Sequence, residues 1–433
     1  MIHVHQCFNA VGHGTFFNGL ACDDGREDCF SWIYDCGSKR TTVIDQEIAR
    51  LEGWGQWPEK VDLLVLSHFD DDHVNGVERL LRSRRVRVLA LPYMDVGQSL
   101  ACSASVGADP CSVSTAFFQI DPVGWLTSRG LTGQVDAVLR IEGGPRGDGD
   151  PPVDGGPTPF PGGPVDDTRP RIDRADYDGK KSRGFSKTVG VTGKTSAPQM
   201  LVWKHASTMA AMALPLELMF YNSTQHNLFR RDGTGALVAR RSNRPIASVQ
   251  ADVDSVLRLY RLHDLSKPPR RMWRDALRAV YAKHFGNSSQ QRNNISLCLL
   301  VRPLGSNVRD CRIFEDRGIC RRSLRRSTHV RDRAGTLLLG DLRVDSATLA
   351  EMRAHFGPIR WADLSTVQVP HHGSRHSWEP GAAAAFKPDR FIHCIPDASA
   401  LHPHKTVDHD LHGFRVRRAN YRAGVVLDYH FEG

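Results

Sequence analysis

The sequence predicts an α/β fold with helices layered outside buried sheet, and three features carry that reading. First, the run "VDLLVLS" (Val61 to Ser67) is almost continuously apolar, has a strand's length, and leads through "HVNGVERLLRS" into a second apolar strand, "VRVLALPY". A strand apolar on both faces belongs inside a sheet that is covered on both sides. Second, the end of the chain repeats this cadence: a helix over Asp345 to Phe356, strand "VQVP", a loop and helix, strand "RFIHCIP", a helix from about Lys405, and strand "GVVLDYHF". Third, no internal period marks a solenoid.

Taken in order, "IHVHQCFN" alternates like a strand, "GHGTFF" supplies a glycine turn, and "FSWIYDCGS" reads as a second strand after the polar excursion "LACDDGREDC". Thr42 to Leu51 has helical spacing. Beyond Asp95 the pattern weakens, and residues 143–166 hold eight glycines and seven prolines in 24 positions. Such a stretch cannot bury enough apolar area to offset its ordering entropy, so a surface loop is expected. Strand character returns in "QMLVWKH" and "LELMFYN". Two amphipathic helices follow, Ser248 to Leu262 and Trp273 to His284, separated by "SKPPRR" and placed to form a lid or simply to pack. "NNISLCLLV" and "GTLLLGDL" are strands on either side of a basic segment.

The chain has 433 residues, 40% hydrophobic and 24% charged, a composition that forms a large core. No basic segment followed by an apolar core opens it, and "MAAMALPLELMF" is too short and too interrupted to span a bilayer, so a cytoplasmic protein without membrane contact is expected. The ten cysteines include no Cys-x-x-Cys pair, which favours reduced, buried thiols over a disulfide framework. The pairs Cys102/Cys111 and Cys311/Cys320, each with eight residues between, leave a structural metal site open. The net charge of +9 suits a polyanionic partner or a solvated basic surface.

Chemistry gathers at strand ends. "SHFDDDHVNG" places His68, Asp70, Asp71, Asp72 and His73 directly after a buried strand. Three consecutive carboxylates beside two imidazoles repel one another unless a divalent cation relieves them. Asp341 ends "TLLLGD", where it could cap a helix or bridge two ions, since a carboxylate offers two oxygens. "VPHHGSRHS" brings His371, His372 and His376 after a short strand, and "LHPHK" brings His402 and His404 after another. Two adjacent histidines cannot both point inward from a strand, so which of His371 and His372 turns to the site stays open.

The order of these signals resembles the metallo-β-lactamase fold, and more closely its branch represented by the hydrolase domain of the competence DNA-uptake protein ComEC. The early glycine turn corresponds to Asn9, Gly12 and Gly14, and the Asp-Thr-Gly-like strand end to Asp35 and Gly37. The His-x-His-x-Asp-His box corresponds to His68, Asp70, Asp72 and His73, and the Asn-Asn-x-Ser strand start to Asn293, Asn294 and Ser296. Gly340 and Asp341, the His-His-Gly-Ser element from His371 to Ser374, and the His402-Pro403-His404 element complete the set.

The resemblance implies an αββα sandwich of two mixed sheets flanked by helices, one domain over 1–433, interrupted by insertions at 95–199, 225–290 and 302–334. It also implies one or two divalent ions, with His68, Asp70 and His371 around one, Asp72, His73 and His402 around the other, and Asp341 between them. This sequence departs from the box in carrying Asp70 where the family has its second histidine. A hard oxygen there shifts preference from zinc towards manganese or magnesium, although the general affinity order still favours zinc.

The expected activity is hydrolysis of DNA or RNA phosphodiester bonds by a metal-activated water, with Asp72 as the leading base, Asp70 second, and His376 as the proton donor. His372, Ser374, Arg375 and His404 are candidate substrate contacts. Residues 301–334 hold ten arginines and four acidic residues, +6 of the chain's +9, and Arg321, Arg322, Arg325 and Arg326 at its centre suit phosphate contact. Alternatives are a hydrolase of a small phosphoester or nucleotide second messenger, a lactam or thioester hydrolase, and a non-catalytic metal-binding regulatory subunit. By resemblance alone, a protein partner in a multi-component system, such as defence against foreign DNA, is also expected.

Overall fold

The computed structural model describes residues 1–23, 29–92, 112–143, 198–204, 208–210, 214–223, 229–239, 241–261, 272–285, 296–304, 308–316, 333–399 and 402–432. Its first sheet begins with strands β1 (Ile2–Phe8), β2 (Phe16–Asp23), β3 (Cys29–Cys36), β4 (Lys60–Val65), β5 (Arg85–Pro92), β6 (Val135–Glu142) and β7 (Gln199–Lys204). Next along the chain come β8 (Thr208–Ala210), β9 (Leu216–Asn222), the small hairpin β10 (Phe229–Arg231) and β11 (Leu237–Ala239), β12 (Leu297–Pro303) and β13 (Arg309–Asp316). The last strands are β14 (Gly335–Leu338), β15 (Leu364–Gln368), β16 (Arg390–Cys394), β17 (Val416–Ala419) and β18 (Gly424–Phe431).

Nine strands form one sheet in the order β13-β18-β1-β2-β3-β4-β5-β6-β7, and seven form the other, β17-β16-β15-β14-β12-β9-β8. Both are mixed. From β3 to β7 the first sheet is parallel, while β1, β2, β13 and β18 pair antiparallel. The second sheet is parallel from β14 to β17 and antiparallel from β8 to β14. Parallel neighbours need covered crossovers, and the helices supply them.

Three apolar layers follow from strand periodicity. Between the sheets lie Phe17, Trp32, Leu63 and Val65 from one side and Leu218, Phe220, Leu299 and Leu338 from the other. The opposite faces of the same strands, through Ile33, Leu64 and Leu89, pack on helices α1 (Thr41–Glu52), α2 (Asp71–Val74), α3 (Val77–Ser83), α4 (Val113–Ile120) and α5 (Pro122–Ser128). Met219, Leu300, Leu337 and Phe391 pack outward on later helices. These follow α6 (Ile246–Tyr260) and α7 (Trp273–His284), and are α8 (Ser346–Ala362), α9 (Ala382–Phe386) and α10 (Lys405–Asp410). The architecture is the αββα sandwich of metallo-β-lactamase type.

Three details differ from expectation. Within the span 95–199, β6 is an inner strand of the first sheet and α4 and α5 bury Phe117, Phe118, Trp125 and Leu126. The sequence pattern there is short and broken, which hid it. Helix α8 runs past Phe356, with a break at Gly357 (φ 78°) before Pro358. Cys22 and Cys29 form a disulfide across β2 and β3, where they are register partners, against the expectation of reduced thiols. Cys7, Cys36, Cys298 and Cys394 are buried thiols as expected, whereas Cys102, Cys111, Cys320 and the side chain of Cys311 lie outside the described residues. Among the described residues no helix is long and apolar enough to cross a membrane.

Candidate metal centre

The residues singled out by their chemistry emerge at the ends of strands from both sheets. His68 follows β4, and Asp72 and His73 stand on the single turn α2. Asp341 follows β14, and His371 and His372 occupy the turn Pro370–Gly373 after β15. Two glycines make the approach possible. At Gly14 (φ 144°) a Cβ would meet the Gly37 carbonyl oxygen at 2.5 Å and the Asp72 carbonyl oxygen at 2.7 Å, so the β1–β2 turn can lie against α2. At Gly340 (φ 55°) a Cβ would meet the Ser67 side chain at 2.6 Å.

The side chains gather in two groups. In one, ligand atoms of His68, His73 and Asp341 lie within 4.8 Å of one another. His73 Nε2 is 3.2 Å from Asp341 Oδ1, and His68 Nε2 and His371 Nε2 are each 3.6 Å from Asp341 Oδ2. In the other, ligand atoms of His13, Asp72 and His372 meet the same limit. His13 Nε2 and His372 Nε2 stand 3.6 Å and 3.4 Å from Asp72 Oδ2. The groups adjoin, with the His73 and His372 ring centroids 5.7 Å apart.

The outer edge of each ring fixes which nitrogen faces inward. Asp35, wholly buried, accepts the Ser67 N–H and O–H, both at 2.7 Å, and the His73 Nδ1–H at 2.8 Å. Ser67 has one hydroxyl proton and commits it to Asp35, so His68 Nδ1, 2.8 Å away, must donate to the Ser67 oxygen. His372 Nδ1 donates to the Cys394 carbonyl at 2.8 Å. His371 Nδ1 pairs with Ser377 Oγ at 2.9 Å. When the rings are neutral, the Nε2 lone pairs of His68, His73 and His372 are therefore left for the site, the arrangement that orients metal-binding imidazoles.

Those inward atoms are orphaned. His68, His73 and His372 Nε2, His402 Nδ1 and Asp341 Oδ1 are buried and have no hydrogen-bond partner of acceptable geometry among the described residues. Buried polar atoms are nearly always paired, and converging imidazole nitrogens and carboxylate oxygens fit a divalent ion. Burial opposes ionisation of both carboxyls. At Asp72 the adjacent His372 and the charge of His73 overcome it, and at Asp341 the charges of His371, His73 and His68 do, so both are held below the ordinary carboxylate range. Burial, then His372 and Lys39, lowers His13 to about 3, and burial, then His372 and His371, lowers His402 to about 4.

The grouping differs from the one the resemblance implies. His73 faces Asp341 with His68 rather than Asp72. His371 and His372 both reach the centre, one beside each carboxylate, because they leave the strand in left-handed conformation (φ 45° and 54°) instead of alternating across it. Asp70 stands at the rim with its side chain half exposed, Oδ2 3.6 Å from His68 Nε2. Asp71 turns away to hold Ser112 N–H and the Thr115 hydroxyl at the start of α4. His402 lies beside both groups, its ring 5.5 Å from His13 and 6.4 Å from His371. His404 caps α10 through its Nδ1. Ser374 is buried and accepts the His376 N–H at 3.3 Å, and Arg375 and His376 are exposed on the adjoining loop. Ser296 Oγ accepts the Asp341 N–H at 3.0 Å. Asn293, Asn294, Arg321, Arg322, Arg325 and Arg326 lie outside the described residues.

His13 is the residue that sequence reasoning missed. Its signal was present in the Gly-His-Gly of the first turn, of which only the glycines were weighed.

No protein-family profile and no curated protein matches this chain. Among solved structures, a point mutant of CmlA β-hydroxylase is similar over 98% of this chain and 53% of its own, at 11% identity and TM-score 0.35. Unliganded yeast PDE1 is similar over 98% of this chain and 99% of its own, at 8% identity and TM-score 0.33. The chain spans about half the length of the hydroxylase it matches. Likenesses this distant bear on neither family nor activity, and the sandwich stands on its own strand order.

Proposed function

We propose that this protein is a metal-dependent hydrolase of the metallo-β-lactamase type that cleaves phosphodiester bonds in nucleic acid. The observation that carries the reading is the pair of adjoining His/Asp groups, several of whose buried inward atoms have no hydrogen-bond partner among the described residues. His68, His73, Asp341 and His371 would hold one divalent ion, and Asp72 and His372, with His402 beside them, a second. Such an ion, zinc or manganese, supplies Lewis acidity towards a phosphoryl oxygen and makes water acidic enough to be a nucleophile near neutral pH.

The chain's own residues do the rest. Asp72, kept ionised by its histidine neighbours, accepts the proton of the attacking water. Arg375 Nε–H donates to His376 Nε2 at 3.3 Å, so the ring is neutral in this arrangement; His376 passes a proton to the departing oxygen as the imidazolium, with that hydrogen bond released. Asp70, at the rim, is the second proton acceptor. The arginine-rich stretch 301–334 supports a polyanionic substrate, since repeated phosphate contacts supply affinity that falls steeply with salt.

The test is incubation of metal-loaded protein with labelled single- and double-stranded DNA and RNA, beside an Asp72→Ala, His73→Ala double variant. Cleavage by the parent alone is the expected result. Turnover of a small generic phosphodiester with every polymer left intact would replace the nucleic acid with a small phosphoester substrate. A parent that takes up no metal would end the hydrolase reading.

A further inference from the structure

We infer that His13, on the β1–β2 turn, is a direct ligand of the second divalent ion, completing with Asp72 and His372 a site of two imidazoles and one carboxylate. The inference rests on the reading that the paired groups hold metal, and it adds to them a residue outside the His-x-His-x-Asp-His box.

Four observations carry it. The first is distance: His13 Nε2 lies 3.6 Å from Asp72 Oδ2 and its ring centroid 4.2 Å from that of His372. The second is rigidity. The turn is tied down on both sides, by Lys39 N–H to the His13 carbonyl (2.8 Å), Thr15 N–H to the Asp72 carbonyl (3.1 Å), Gly37 N–H to the Thr15 carbonyl (3.0 Å) and the Ser38 hydroxyl to the Val11 carbonyl (2.8 Å). A ligand on so fixed a turn arrives without the ordering cost a free loop would incur.

The third is the company of the ring. Its aromatic neighbours are His372 and His402 and its charged neighbours are Lys39 and Asp72, and the side chain makes no hydrogen bond among the described residues. A histidine that served only to pack would be surrounded by apolar side chains, and one that served only to orient Asp72 would hydrogen-bond to it. The fourth is the match between the two groups. The buried group is likewise built of imidazoles around one carboxylate, His68 and His73 with His371 around Asp341. The box has a carboxylate, Asp70, where an imidazole is expected, and Asp70 stands at the rim. His13 brings a nitrogen from a different part of the chain, to the group beside Asp72 rather than to the one beside His68. A donor set with two imidazoles suits a borderline ion such as zinc better than magnesium, so the oxygen of Asp70 does not set the preference.

The experiment uses the full chain, stripped with a chelator, loaded with zinc and desalted, with bound zinc counted by elemental mass spectrometry. The parent is expected to retain two equivalents and both His13→Ala and His13→Gln one. Loss of a direct ligand should weaken the second site by on the order of 100-fold or more, at or beyond the 10–100-fold that loss of an outer partner causes. His13→Asp, which returns an anionic ligand atom, is expected to recover part of the second equivalent, which a merely structural role would not produce. The metal-free melting temperature of each variant identifies any that fails to fold, and the remaining variants then decide. Two equivalents in His13→Ala with unchanged zinc affinity would overturn the inference and leave the hydrolase reading standing, as would one equivalent in both parent and variant. No zinc in the parent would sink both.

Discussion

Two groups of buried charge beside the second sheet are built in opposite ways. Glu217 on β9 and its register partner Arg302 on β12 meet Arg360 of α8 beneath the helical layer. There Arg302 Nε reaches Glu217 Oε2 at 2.5 Å, and Arg360 Nη2 reaches Oε1 at 2.8 Å and its Nε Oε2 at 3.0 Å. In the His/Asp centre the contacts that face inward are 3.2 to 3.6 Å long, and several of their atoms have no hydrogen bond. Burial alone therefore does not mark a functional site. What separates the two is that one group of charges is satisfied by its own members, while the other leaves inward atoms unpaired among the described residues and can coordinate a divalent ion.

Breaking each group in turn should separate activity from stability. Asp341→Asn removes the carboxylate that faces three imidazoles. Losing the ion it holds should cost several kcal/mol of transition-state stabilisation, a fall in kcat/KM of roughly 10³-fold or more. In the metal-free protein the variant gives up the attraction between Asp341 and its imidazoles, so it should still fold cooperatively while melting somewhat below the parent. A metal-free variant that does not fold would make Asp341 a structural residue. Glu217→Gln should do the reverse. It leaves the buried Arg360 without its counter-charge and Arg302 with Asp363 alone, and should lower unfolding free energy by about 3–5 kcal/mol. Activity per folded molecule at low temperature should be unchanged, and denaturant titration beside a kinetic assay reads both.

The same contrast explains what was legible in the sequence. The strands carrying His68, Asp341 and His371 were readable because apolar runs such as "VDLLVLS" end abruptly in ionisable residues. The layering followed from strands apolar on both faces. Which residues group together was not readable, since it depends on a single helical turn that points His73 and Asp72 in different directions and on left-handed backbone at His371 and His372. Nor was His13, whose approach depends on a glycine packed against the backbone of α2. The strand β6 escaped because periodicity over eight residues, between short helices and a Gly/Pro-rich run, looks the same as a loop.

A smaller effect tests how the centre is held. Asp35→Asn keeps the shape but can no longer accept the Ser67 N–H, the Ser67 O–H and the His73 Nδ1–H as a carboxylate does. Partners of this kind are worth about 10–100-fold in metal affinity or activity. The variant should therefore lose zinc at chelator concentrations the parent withstands, and equal retention would show that His73 needs no brace.

The smallest expected effect lies at the edge of the satisfied group. Asp363 faces Arg302 Nη1 at 3.6 Å, and burial raises its carboxyl to about 6 against the Ala334 N–H and the Arg302 charge. The folded state thus holds this proton more tightly than the unfolded chain, so its contribution to stability is present in acid and is lost as pH rises through about 6. Asp363→Asn removes the titration while its amide oxygen can still accept the Ala334 N–H. The variant should match the parent near pH 4, gain on it between roughly pH 4 and 6, and be more stable by about 1 kcal/mol above that range, the full shift being discounted for partial solvent access. Urea midpoints measured across pH check the sign: a difference that stays flat, or that favours the parent at alkaline pH, would mean that Arg302 compensates Asp363 as fully as it does Glu217.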